Sequence, residues 1–253
     1  STATGKAIAH AAAEGLKKVS LELGGKSPNI IMPDADLEAA IPASALGIFY
    51  NSGQTCTAPS RLYVHEDVAD TVIQGIAEFG RNMKIAPGLD EESMIGPLVS
   101  QKQFDRVTSY VQKGEAEGAE IVSGGRRHGN TGYFLEPTVI ANTTNDMTVV
   151  REEIFGPVLV TQTFKSEDEA IALANDSDYG LAGCVWTRDI ATAHTMAKKV
   201  KAGILGVNTA MGADWDVPLG GYKQSGIGRE NSREGLELYL NTKSVFAQLK
   251  SAW

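Results

Sequence analysis

Cys56 lies in YNSGQTCTAPSR, residues 50 to 61, among small and polar residues rather than in an apolar run. A cysteine acts as a nucleophile as its thiolate, with a base nearby and donors for a developing oxyanion. Gly53, Gln54, Thr55 and Thr57 follow a predicted helix end. There backbone amides are free and no bulky side chain bars a substrate. A lone cysteine is also commonly inert packing, and that reading fits Cys184, which sits in the apolar strand pattern GLAGCVWT.

The base that such a thiol needs is not an obvious histidine, because His10, His65, His128 and His194 fall in predicted helices or loops and read as solvated surface residues. Glu22 differs. In SLELGGKSPN it lies between leucines directly before a Gly-Gly turn, where a strand end would present it to a crevice. The alternative is a glutamate on the exposed face of an alternating strand. In REEIFGPV, residues 151 to 158, a carboxylate pair precedes Phe155, Gly156 and Pro157. That stretch reads either as a polar loop whose Phe155 caps the core, or as a carboxylate for ribose hydroxyls beside an aromatic that flanks a planar ring.

The elements that must carry these residues alternate. A helix over residues 4 to 18 precedes the strands VSLEL and NIIM, then a helix capped by Asp34 or Asp36 and ending near Gly53. RLYVHE reads as a strand, and Val68, Val72, Ile76 and Phe79 recur at helical spacing after it. The pattern continues through the strands EIVSG, YFLEPTVI, FGPVLVTQTF, GLAGCVWT and ILGVNT, with helices between most of them, one begun by Ser166. Such alternation predicts an α/β fold, a doubly wound and mainly parallel sheet with helices on both faces. The tail departs from it, with a glycine-rich loop, a helix from about Ser232 to Leu240 and a last alternating strand, KSVFAQL. A terminal strand with no helix after it is expected to pair with an edge of another domain or subunit.

Composition narrows the function. The chain has 253 residues, 42% hydrophobic, and a formal net charge of -8, with no basic cluster, which argues against nucleic acid as a partner. Two cysteines are too few for a disulfide framework, and no apolar run is long enough to span a membrane, so a reducing cytosol is the expected setting. No metal site is read.

Taken together, LELGGKSPNII, NSGQTC, EEIFGPV and PLGGYKQSGIGRE resemble the glutamate, cysteine, cofactor-ribose and carboxy-terminal motifs of the aldehyde dehydrogenase superfamily, in family order. The resemblance spans essentially the whole chain but only the later half of a family enzyme. It implies oxidation of an aldehyde to a carboxylic acid with NAD or NADP in a Rossmann-like fold. Cys56 would attack the aldehyde carbon and Glu22 would activate water against the thioester, while the Cys56 amide supplied half of an oxyanion hole. Glu153 and Phe155 would hold the nicotinamide ribose, with Gly24 also on the cofactor side. Ser1 would open the turn near the pyrophosphate, although the glycine expected before it is absent.

Asn208 would fall at a strand end near the aldehyde tunnel, and Trp215 and Met211 read either as apolar wall of that tunnel or as ordinary loop packing; such a wall suits an aromatic or medium-chain aliphatic aldehyde. The implied division is a remnant of the cofactor domain at 1–23, the catalytic domain at 24–224, and a helix and oligomerisation strand at 225–253, in a homo-oligomer, dimer or tetramer. Because the family's first half, with most of the cofactor site, has no counterpart here, the chain is expected to be a fragment that barely dehydrogenates alone. A cofactor-independent thiol esterase and a non-catalytic assembly module are the competing readings.

Overall fold

The computed structural model describes residues 1–210 and 214–249. The chain begins with α1 (Thr2–Glu14), β1 (Leu21–Glu22), β2 (Pro28–Ile31), α2 (Leu37–Phe49), β3 (Arg61–His65), α3 (Ala69–Asn82) and α4 (Gln101–Ala116). It continues through β4 (Glu120–Ser123), β5 (Thr138–Ala141), α5 (Thr148–Arg151), β6 (Val158–Phe164), α6 (Glu167–Asn175), β7 (Tyr179–Gly180) and β8 (Ala182–Trp186). Last come α7 (Ile190–Lys199), β9 (Ile204–Val207), β10 (Tyr222–Lys223), β11 (Gly226–Ile227) and α8 (Ser232–Glu237).

Seven of these strands make one sheet in the order β4-β5-β6-β3-β2-β8-β9. β4 runs antiparallel to β5 and the other neighbours pair in parallel. Side-chain alternation along the strands explains why helices cover both faces. In β2, Ile31 packs with α2 and α3 while Ile30 faces α6 and α7; in β5, Val139 joins the first cluster and Ile140 packs with α4. The doubly wound, mainly parallel α/β expectation therefore holds. No helix among the described residues is long and apolar enough to cross a membrane.

Several expected boundaries differ. α1 stops at Glu14 rather than residue 18, because Gly15 and a left-handed Leu16 (φ 50°) end it. Asp36 accepts from the Ala39 amide as the α2 cap, while Asp34 accepts from the Thr187 hydroxyl and the Arg188 and Asp189 amides. His65 closes a strand, with its ring edge-on to Phe164. α8 ends at Glu237, short of Leu240; none of its residues is buried, so no packing supports another turn. Residues 241–249 form no strand within the single chain, since a strand needs a partner ladder, and Val245, Phe246 and Leu249 stand 78%, 97% and 94% exposed.

Candidate active site

Cys56 is positioned by an unusual exit from α2. Asn51, Ser52 and Gly53 all take left-handed backbone angles, φ 51°, 56° and 67°. The turn is held from outside: the Ser52 hydroxyl donates to the Gly96 carbonyl at 2.7 Å, and the Gln54 side-chain oxygen accepts from the Val99 amide at 2.9 Å. At Gly53 an added Cβ would lie 2.0 Å from the Gly156 oxygen, so this turn and the EEIFGPV loop meet backbone to backbone.

The glutamate loop is wedged between the same two segments. A Cβ on Gly25 would fall 2.2 Å from the Cys56 carbonyl oxygen, and one on Gly24 would fall 2.5 Å from Glu153 Oε2. Only glycine permits both approaches. The Gly25 amide then donates to Glu153 Oε1 at 3.0 Å. The acidic pair diverges, because Glu152 accepts from the Tyr110 hydroxyl at 2.6 Å while Glu153 turns to the glycine loop. α4 secures this segment: Arg106 donates to the Glu153 carbonyl at 2.7 Å and Gln103 to the Phe155 carbonyl at 2.7 Å.

All three loops enter the sheet, so the site forms at the amino ends of β2, β3 and β6 and not at the carboxyl ends where ligands of open α/β sheets usually bind. Cys56 consequently follows the carboxyl end of α2, and no helix amino terminus lowers its pKa. Burial pushes the Cys56 thiol up, the Glu153 and Glu22 carboxylates push it further, and the Cys56 and Thr57 amides offset part of this. The resting thiol is protonated near neutrality and needs a base to react.

Glu22 ends β1, half-buried, and neither carboxylate oxygen has a hydrogen-bond partner. Burial raises its pKa from 4.5 to about 7, with Glu230 adding to the rise and Arg229 opposing it. A carboxyl that changes charge near neutrality can both accept and return a proton. Cys184 is the contrasting thiol. It is 2% exposed, its Sγ donates to Asn29 Oδ1 at 3.1 Å, and burial pushes its pKa to about 12.

The remaining expected residues divide. Phe155 is 36% exposed with φ 61°, beside Glu153. The Ser1 hydroxyl accepts from the Thr4 amide and caps α1. Asn208 does not turn to the cleft: its amide closes on Thr187, accepting from that residue's N–H at 3.0 Å and donating to its carbonyl at 2.9 Å. Trp215 is 84% exposed and outside the cavity wall. Met211 lies outside the described residues.

A cavity of about 800 Å³ instead has Tyr50, Ala210, Val217 and Leu219 in its wall; Thr55 and Thr57 join it to the Cys56 turn, and Cys184 rather than Cys56 lines it. Leu219, next to the Gly220-Gly221 pair, was the signal available in sequence. Lys26 was also missed. It is 1% exposed, its Nζ has no partner, and burial with the nearby Arg61 lowers its pKa to about 7. No group of three or more His, Cys, Asp or Glu side chains among the described residues could hold a metal ion.

A doubly wound α/β unit that joins a cysteine in a left-handed turn to a partnerless glutamate and a carboxylate held by a glycine amide defines the class. The aldehyde dehydrogenase family model matches residues 1–245, and the chain belongs to that family. It is 46% identical over 253 residues to a betaine aldehyde dehydrogenase of Brucella anthropi, covering 98% of this chain and 52% of that protein. An aldehyde dehydrogenase of Emericella nidulans is 45% identical over 253 residues, covering 100% and 51%. The NAD+ complex of aldehyde dehydrogenase from Bacillus cereus superposes with a TM-score of 0.97 at 49% identity, over 99% of this chain and 51% of that one. The chain spans about half the length of the curated relatives it matches.

Proposed function

We propose that this chain supplies the thiol and the base for oxidation of an aldehyde to a carboxylic acid. The observation that carries the reading is the Gly24-Gly25 wedge, which brings Cys56, Glu22 and Glu153 onto one short loop system. In the first step Cys56 Sγ gives its proton to solvent and bonds to the aldehyde carbon, whose C=O π pair moves onto oxygen to give a thiohemiacetal oxyanion that accepts from the Cys56 amide. Loss of hydride from that carbon leaves a thioester on Cys56. Glu22 then takes a proton from water, whose oxygen attacks the thioester, and the released thiol and acid complete the cycle.

The residues fit a nicotinamide cofactor. Glu153 stands in a cradle that a Cβ on Gly24 would fill, with Phe155 exposed next to it. Glu153 and Phe155 would hold the ribose, and Ser1 and the start of α1 would face the phosphates. When bound, the cofactor supplies the acceptor for the hydride. Similar solved structures from Bacillus cereus and Staphylococcus aureus are complexes with NAD+, which favours NAD. The apolar lining favours an uncharged aldehyde.

The test is stoichiometry. The complete protein, given an aliphatic aldehyde and NAD, is expected to form one carboxylate per reduced nucleotide, and Cys56→Ala should abolish both products. Aldehyde oxidation by Cys56→Ala at the parent rate would refute the reading. The exposed apolar residues of 241–249 further support a homo-oligomer in which this tail pairs with a second copy. Light scattering should find a lower oligomeric mass after deletion of residues 244 to 253, and an unchanged mass would place the contact elsewhere.

A further inference from the structure

Glu22 is held in an indirect way. Neither of its carboxylate oxygens has a partner, so its position is set through its backbone. That backbone pairs with β11, Leu21 with Ile227 and Glu22 with Gly226, and the Leu23 amide donates to the Ser225 carbonyl at 2.9 Å. β11 is one end of the segment 222–227, whose turn is closed by the Ser225 amide donating to the Tyr222 carbonyl at 3.1 Å. The other end, β10, pairs with β7, and the buried Ser225 hydroxyl accepts from the Gly180 amide at 3.0 Å.

Besides Ser225, Lys223 fastens this segment to the core. Lys223 Nζ donates to the Asn175 carbonyl at 2.8 Å and to the Ser177 carbonyl at 2.7 Å. Both acceptors lie at the carboxyl end of α6, where free carbonyls and the helix dipole favour a cation. Lys223 holds a left-handed backbone, φ 53°, a conformation a lysine adopts only when its surroundings impose it. Residues 222–227 thus link the α6 terminus on one side to the strand that carries Glu22 on the other.

We propose that Lys223 is a positioning residue for Glu22, anchoring the 222–227 segment whose β11 ladder sets the distance of that carboxylate from the Cys56 acyl group. The inference rests on the reading of Glu22 as the base for thioester hydrolysis. A displacement of about 1 Å at a reacting group can cost as much as 100-fold in rate. The loss should fall mainly on hydrolysis, because the hydrogen bonds that hold the Cys56 turn go to Gly96 and Val99 rather than to residues 222–227.

The experiment acetylates this chain with 4-nitrophenyl acetate and follows Cys56 by quenched mass spectrometry. Lys223→Met is expected to acetylate at the parent rate but to lose the acetyl group about tenfold more slowly or worse, with a shifted pH midpoint for hydrolysis. Lys223→Arg, which keeps a cation at the α6 end, should recover most of the rate. Should Lys223→Met not fold, Lys223→Gln is read in the same way. Equal acetyl lifetimes in parent and variants would overturn the inference, and so would a parallel fall in acetylation and hydrolysis, the mark of general unfolding. Absence of acetyl-Cys56 in the parent chain would instead overturn the reading of the site and this inference with it.

Discussion

Glu22→Gln is expected to leave an acyl group stranded on Cys56. The glutamine is nearly the same size and meets no lost partner, since neither Glu22 oxygen makes a hydrogen bond. Folding should therefore be unaffected. What disappears is a carboxylate that can take a proton from water. Removal of a positioned general base typically costs about 100-fold or more.

The pH dependence fixes the sign. The Glu22 pKa is raised to about 7, so the ionised, base-competent form fills in as pH rises through that value. Thioester hydrolysis by the parent should climb between roughly pH 6 and 8 and then level off, whereas the variant should stay low and flat. Quenched intact-mass measurements of acyl lifetime read both effects. An unchanged lifetime in Glu22→Gln would remove Glu22 from the role.

Gly53→Ala should be severely damaging to the site. Its φ of 67° is left-handed, and the new Cβ would meet the Gly156 oxygen at 2.0 Å, the Gly156 carbon at 2.2 Å and the Pro157 nitrogen at 2.7 Å. These are backbone atoms that cannot rotate away. The cysteine turn and the Glu153 loop must separate, and the combined strain and displacement should cost roughly 3 kcal/mol.

Gly118→Ala is the control. It also has a left-handed φ, 99°, but no atom lies within 4 Å of the new Cβ, so only the conformational strain of about 1 kcal/mol remains. Urea unfolding of the two variants measures the difference. Equal losses would show that the contact between the two loops is unimportant.

Much of this arrangement was legible in sequence because it is periodic. Val72 and Ile76 recur at helical spacing and are buried in α3, and the packing of Ile30 and Ile31 on opposite faces of the sheet follows from the two-residue strand repeat. Cys56 and Cys184 were separable by their neighbours alone. The remainder depends on distant chain segments. The tail KSVFAQL has alternating residues, but alternation gives a strand only where a second strand is within reach.

Asn208 was read as a tunnel residue from its place at a strand end, yet its amide is consumed by Thr187, a pairing no local pattern announces. The Gly24-Gly25 wedge is similar, since a glycine pair announces a turn and not which carbonyl or carboxylate will approach it. The raised pKa of Glu22 likewise arises from burial and from Glu230, which is remote in sequence.

The account is tested most directly by mapping the acyl group during hydrolysis. The chain is acetylated with 4-nitrophenyl acetate, quenched at intervals across a pH series, digested, and the acetylated peptide identified and counted. The expected result is acetyl on Cys56 alone, lost with a pH midpoint near the Glu22 value of about 7. Acetyl on Cys184, or hydrolysis from Cys56 that ignores pH across that range, would contradict it.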